Sequence, residues 1–149
     1  MAQTTNQVTM VNCKIEGSTD GAVWTDISGF GNSVTFDGGE RATEETDTFS
    51  GDTPIITAGK RGGLTVTARV VYTEGVSDPV EVVRAAYENL TPYYLRWSPK
   101  GGTTGQFQYT TTVGIVKNPV YPAGEANSAA PIMAEIVLAV AKITKAVAA

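Results

Sequence analysis

A chain of 149 residues with 42% hydrophobic content fits one domain with a core of its own, hiding roughly 70% of the surface it exposes when unfolded. Its net charge of -4 argues against attraction to nucleic acid or anionic lipid, and no run of about 18 apolar residues is present to span a bilayer. The absence of histidine removes the commonest general base and metal ligand, and the lone Cys13 cannot make an internal disulfide, so neither catalysis nor an oxidising compartment is favoured.

The chain opens on MAQTTNQVTM, which lacks the basic start and apolar run of a secretory signal and leads us to expect a soluble intracellular product. From Thr9 to Glu16 the residues alternate, with Val11, Cys13 and Ile15 on one face, which predicts a half-buried strand. Asp20-Gly21 supplies a tight hairpin turn into a second strand carrying Val23, Thr25 and Ile27. After the Gly29-Phe30-Gly31 bend, Ser33 to Asp37 predicts a short strand with Val34 and Phe36 pointing one way. The next stretch, from Glu40, reads ERATEETDTFSGDTPIITAGKRGG and has neither helical spacing nor strand alternation. It is expected to be a long inserted loop at about 38–63, and loops beyond about 12 to 15 residues are usually functional or disordered.

Leu64 to Thr73 then alternates cleanly as a strand. Asp78, Pro79 and Glu81 stand at the positions of an N-cap, a first-turn proline and the third residue of a capping box. The helix they start places Val80, Val83, Tyr87 and Leu90 against an apolar surface, and Pro92 closes it. Tyr93, Leu95 and Trp97 share one face of the following strand, which ends at Pro99-Lys100-Gly101-Gly102. Gln106 to Lys117 alternates without interruption and predicts one strand of about 40 Å, with Gly114 marking a bulge or bend. The segment from Ile132, IMAEIVLAVAKIT, combines helix formers with an alternating pattern. A strand is favoured, since it would cover an otherwise exposed edge. The expected fold is mainly β: a β-sandwich or partly open β-barrel with one flanking α-helix, a single domain over 1–149.

Motifs that carry chemistry are missing. GFGNSV at Gly29 lacks the third glycine of a dinucleotide fingerprint, and Gly59-Lys60-Arg61 lacks the spacing of a phosphate-binding loop. The carboxylates Asp37, Glu40, Glu44, Glu45, Asp47 and Asp52 are of a type that suits calcium, but their spacing matches no calcium loop and reads as a solvated face. No enzyme activity, cofactor or metal is expected.

The order of parts says more. An early hairpin with an Asp-Gly turn and Trp24, a long loop ending in Gly59-Lys60-Arg61-Gly62-Gly63, a Thr/Val strand, the helix VEVVRAAYEN and two further long strands resemble the major tail tube proteins of long-tailed, siphovirus-type bacteriophages, over Ile15 to Lys117. The resemblance implies a β-sandwich assembled into hexameric rings that stack as a hollow tube. It implies copies of itself and the tape measure, tail tip and terminator proteins as partners, DNA as passing cargo, and no membrane. It further implies residence in a virion tail after synthesis in a bacterial cytoplasm, and a loop matching Gly38 to Gly63 that is mobile in the free subunit and orders against a neighbour.

The residues give that loop a physical reason. Phe49, Pro54, Ile55 and Ile56 are apolar in a polar setting and suit burial on a partner, while Glu40, Arg41, Glu44, Glu45, Lys60 and Arg61 suit ion pairs at the rim of such a contact. Gln106, Gln108, Thr110 and Thr112 are the expected lumen face, because they are polar, small and without positive charge. The competing reading is an immunoglobulin-like binding module that displays Trp24, Tyr93, Tyr94 and Trp97 to a carbohydrate or a host surface, for which those rings must lie open.

Overall fold

The structure, a computed structural model, describes residues 1–149. The expected strand from Thr9 starts later, because the chain first turns at Met10 to Cys13, where the Cys13 N–H donates to the Met10 carbonyl at 3.0 Å. Strand β1 (Lys14–Ser18) pairs antiparallel with the short β2 (Thr25–Asp26), as the hairpin signal predicts. The connection is a wider loop than a two-residue turn. Asp20 organises it by accepting the Ala22 and Val23 N–H groups on Oδ1 at 2.8 and 2.9 Å.

Strands β3 (Gly31–Gly38) and β6 (Leu64–Val71) pair antiparallel, with β4 (Arg41–Thr46) and β5 (Ile55–Arg61) lying between them in sequence. The expected inserted loop is therefore a hairpin, a correction taken up below. Helix α1 (Pro79–Asn89) has Asp78 at its N-cap and proline in its first turn, but no capping box forms. The Asp78 carboxylate turns back to accept the Gly75 N–H at 2.8 Å, and Glu81 pairs with Arg84 at 2.6 Å instead. Leu90 is the left-handed C-cap at φ 53 and lies exposed, so Val80, Val83 and Ala86 are the helix's buried face.

After α1 come β7 (Tyr94–Ser98), β8 (Phe107–Thr111), β9 (Gly114–Val116), β10 (Met133–Val140) and β11 (Ile143–Val147). The segment from Ile132 is a strand, as the edge argument predicts, and the AKITKAVAA tail supplies one more. The single strand expected over 106–117 is instead two, in different sheets. One sheet has the order β11-β8-β7-β1-β2 and the other β3-β6-β10-β9, so the chain crosses between layers at Thr112 and Val113.

That crossing depends on Gly114. Its N–H and carbonyl exchange two 3.1 Å bonds with Tyr93, which joins the two sheets through backbone. A Cβ there would stand 2.7 Å from the Tyr93 carbonyl oxygen.

The layers enclose one core. Ile15, Leu95 and Trp97 come from the first sheet, Val66, Ala68, Val70, Ile136 and Leu138 from the second, and Val80 and Val83 from α1. Each fully buried side chain of this kind stabilises the fold by roughly 1.5 to 3 kcal/mol, so this alternation holds the sheets together. Arg84 fastens the segment after β9 to the helix by donating to the Val120 carbonyl at 3.0 Å.

Gly114→Ala is expected to destabilise the protein by about 1 to 3 kcal/mol in urea unfolding, because the new methyl meets backbone that cannot rotate away. Gly29→Ala, where nothing lies within 4 Å of an added Cβ, should change stability by less than about 0.5 kcal/mol. Equal effects at the two positions would contradict this account of the crossing.

Candidate assembly surface

The sequence 40–63 forms an arm. The β3–β6 ladder continues into it through the Gly39 N–H to the Gly63 carbonyl at 3.0 Å and the Gly62 N–H to the Glu40 carbonyl at 2.8 Å. Gly38 and Gly39 take φ of 88 and 79, and a Cβ on Gly38 would lie 2.6 Å from the Gly63 oxygen. This pair of glycines turns the chain out of the sheet. Beyond it, Thr43, Thr46, Ile55, Ile56 and Thr57 are β-branched and form the pleated pair β4–β5.

Every residue from Glu40 to Gly63 is exposed, and β4 and β5 pack chiefly on each other. Phe49 and Pro54 sit in the connecting tip, Phe49 with its whole side chain in solvent, and Ile55 and Ile56 on β5 are 54% and 65% exposed. An isolated two-stranded hairpin is marginally stable in water at best, so this arm lacks the third layer that would hold it.

The predicted contact residues divide along its length. Glu40, Arg41, Lys60 and Arg61 lie at the root, while Glu44 and Glu45 lie toward the tip. Arg41 stands opposite Arg61 in the pairing and donates from Nη1 to the Gly59 carbonyl at 2.9 Å. The carboxylates do not gather around one point.

A groove of about 200 Å³ opens beside the root between the two sheets, lined by Phe36, Leu64, Ile143, Arg61 and Lys142 among others. Phe36 is 64% exposed although it shares a face with Val34. The sequence reading missed this groove.

The expected lumen residues follow one strand and its two ends. Gln108 and Thr110 lie in β8, with Thr110 opposite Arg96 and Thr144, while Gln106 and Thr112 flank the strand. The same solvent face of the five-stranded sheet carries Glu16, only 5% exposed, bonded to Arg96 at 2.7 Å and to Lys14 at 3.0 Å. Burial pushes the Glu16 carboxyl up, but the hydrogen bonds and charges of Arg96 and Lys14 outweigh it and hold it below the usual carboxylate range. Arg96 in turn lies over the Trp24 ring at 4.3 Å. Tyr93 and Trp97 are 2% and 8% exposed, Trp24 is covered by Arg96 and Tyr94 is half-buried, so the four aromatic residues form no open platform.

The opposite solvent face belongs to the four-stranded sheet. Thr35, Thr67 and Val137 make one row across it, Asp37, Thr65, Ala139 and Ile115 another, and Ser33, Arg69 and Glu135 a third. Its edge strands, β3 and β9, have no outer partner.

Neither a protein-family model nor a curated protein matches the chain. Solved structures do. The SPP1 tail tube superposes with a TM-score of 0.71 at 13% identity, over 95% of this chain and 80% of that one. The chain has the tail tube fold. A chain of the sheath-tube complex of an extracellular contractile injection system in its extended state aligns at a TM-score of 0.69 and 14% identity, covering 98% and 99% of the two chains. A chain from the tail of an empty gene transfer agent particle, refined with C6 symmetry, gives 0.65 and 12%, covering 99% and 100%. These neighbours are components of phage and phage-like tails, and they share the tube fold with this chain at identities where sequence comparison no longer connects them.

Because the folded pKa of Glu16 lies below its ordinary value of 4.5, its contribution is fully present at neutral pH and is lost as pH falls through that lowered pKa. Glu16→Gln should cost about 1 to 3 kcal/mol at pH 7 and flatten the loss of stability below about pH 4.5, leaving the part due to other carboxylates. An unchanged acid transition in the variant would remove Glu16 from this role.

Proposed function

We propose that the chain is the major subunit of a phage-type tail tube, polymerising as stacked hexameric rings into a hollow conduit through which DNA leaves the virion. The observation that carries the reading is the arm, which is exposed from root to tip with Phe49, Ile55 and Ile56 in solvent. Burying each of these against a neighbour is worth roughly 1.5 to 3 kcal/mol, whereas an exposed rim ion pair contributes at most about 1 kcal/mol. The apolar residues therefore carry the affinity, and Glu40, Arg41, Glu44, Glu45, Lys60 and Arg61 set the register.

The open β3 and β9 edges support ring formation, since joining them between copies would continue the sheet into a closed barrel without edges. In such a ring the five-stranded sheet and α1 need the larger circumference and lie outside. The solvent face of the four-stranded sheet then lines the channel with Thr35, Thr65 and Thr67 beside the charged Asp37, Arg69 and Glu135, and DNA passes as cargo without a specific site. The rival assignment puts Gln106, Gln108, Thr110 and Thr112 on the lumen. Tape measure, tail tip and terminator proteins are the other partners, in a virion tail built in a bacterial cytoplasm.

Negative-stain microscopy of the purified protein across a concentration series, with sedimentation, should give rings or hollow tubes of uniform width. A chain lacking residues 40–62 should remain folded and monomeric. Tubes from that deletion, or a monomer at every concentration of the intact chain, would contradict the reading. In particles that carry the tube, Thr67→Lys should impair DNA ejection without preventing assembly, and Thr110→Lys should not. The reverse pattern would move the lumen to β8.

A further inference from the structure

The arm is charged along its length in a way that a single copy does not use. Glu44, Glu45, Asp47 and Asp52 lie toward the tip, and no lysine or arginine occurs between Arg41 and Lys60. Arg41, Lys60 and Arg61 occupy the root, where Lys142 joins them at the groove, and Asp37 and Glu40 are the acids nearby, so cations outnumber acids there. Arg41 and Arg61 face each other directly, a like-charge pairing that destabilises a hairpin standing alone and is relieved when anions approach. In the groove beside them, Leu64 and Ile143 pack against the core, and Phe36 forms an exposed apolar wall. At about 200 Å³ it falls below the roughly 300 to 1,000 Å³ of small-ligand sites, so it suits one inserted side chain better than a metabolite.

We propose that Phe49, at the acidic tip of one copy's arm, seats in the Phe36–Leu64–Ile143 groove at the basic root of the next copy's arm. The occupant is a second copy of this chain, and the proposal rests on the tube reading. Tip and root are different surfaces, so the contact is heterologous and repeats from copy to copy. From Gly39 to Ser50 the arm reaches at most about 40 Å, at roughly 3.3 Å per residue, so successive roots stand about one arm length apart. Asp47 and Asp52 then lie beside Arg61 and Lys142 around the inserted ring.

Three variants test this by the concentration at which tubes first appear in sedimentation. Asp47→Lys with Asp52→Lys reverses the tip, Arg61→Glu with Lys142→Glu reverses the root, and the third carries all four changes. Each reversal alone should raise the critical concentration at least about tenfold, and the combined variant should return to within a few-fold of the unmodified chain. Circular dichroism and thermal unfolding establish that each variant folds. A Phe49→Cys, Ile143→Cys variant should give a ladder of multimers on oxidation, while Val76→Cys with Ile143→Cys should not. Assembly of either reversed variant at the unmodified concentration, additive loss in the combined variant, or absence of the ladder from formed tubes overturns this docking and leaves the tube reading standing. If the unmodified chain forms neither rings nor tubes, the reading falls and the docking with it.

Discussion

The antiparallel pairing of β3 with β6 governs what the rest of the molecule can do. Because Gly31–Gly38 runs in register with Leu64–Val70, the chain between them must leave the sheet and come back at the same place. A connection of that length closes most economically as a hairpin, and the backbone bonds at Gly39 and Gly62 carry the ladder into it. The arm is thus a consequence of the sheet. Its direction is set where Gly38 meets the Gly63 carbonyl, and its lack of any covering layer follows from its leaving the sandwich altogether.

The sandwich, by contrast, has a layer on each side of its core. Its sheets are joined by buried Val, Ile and Leu side chains, by the Tyr93–Gly114 backbone pair, and by β10 running on through Ala141 and Lys142 into β11. Burial of Tyr93 raises its phenol to about 12, which keeps it neutral across the working range. In the proposed tube, a packed body with one uncovered arm would separate two tasks that otherwise compete: stability would rest on the core, and association on the arm. The tail tube fold is shared with structures at 12 to 14% identity.

Much of the core was legible in the sequence, and the reason is periodicity. Leu64–Val71, Tyr94–Ser98 and Met133–Val140 each have one face in the core and one elsewhere, so burial writes an alternation into their residues. The arm was not legible because both its faces meet water within one chain. Alternation then has nothing to record, and only the β-branched residues Thr43, Thr46, Ile55, Ile56 and Thr57 hint at strands. The crossing at Thr112 and Val113 was hidden for the opposite reason: the pattern continues through it while the chain changes sheets, and only Gly114 marks the event. Local chemistry misled at the helix start, where Asp78 had the right spacing for a capping box but spends its carboxylate on Gly75. The groove was out of reach, since Phe36 and Ile143 meet only once the two sheets are stacked.

The central claim is that the arm is half of an interface, unsupported in the free chain and completed by another copy. Hydrogen exchange of the backbone amides over 41–61, compared between free subunits and assembled material, tests it most directly. The account predicts exchange close to that of an unfolded peptide in the free chain, slow exchange in the assembly, and little change in β6 and β10. Strong protection of the arm in the monomer, or an arm that exchanges equally fast in both states, would contradict it.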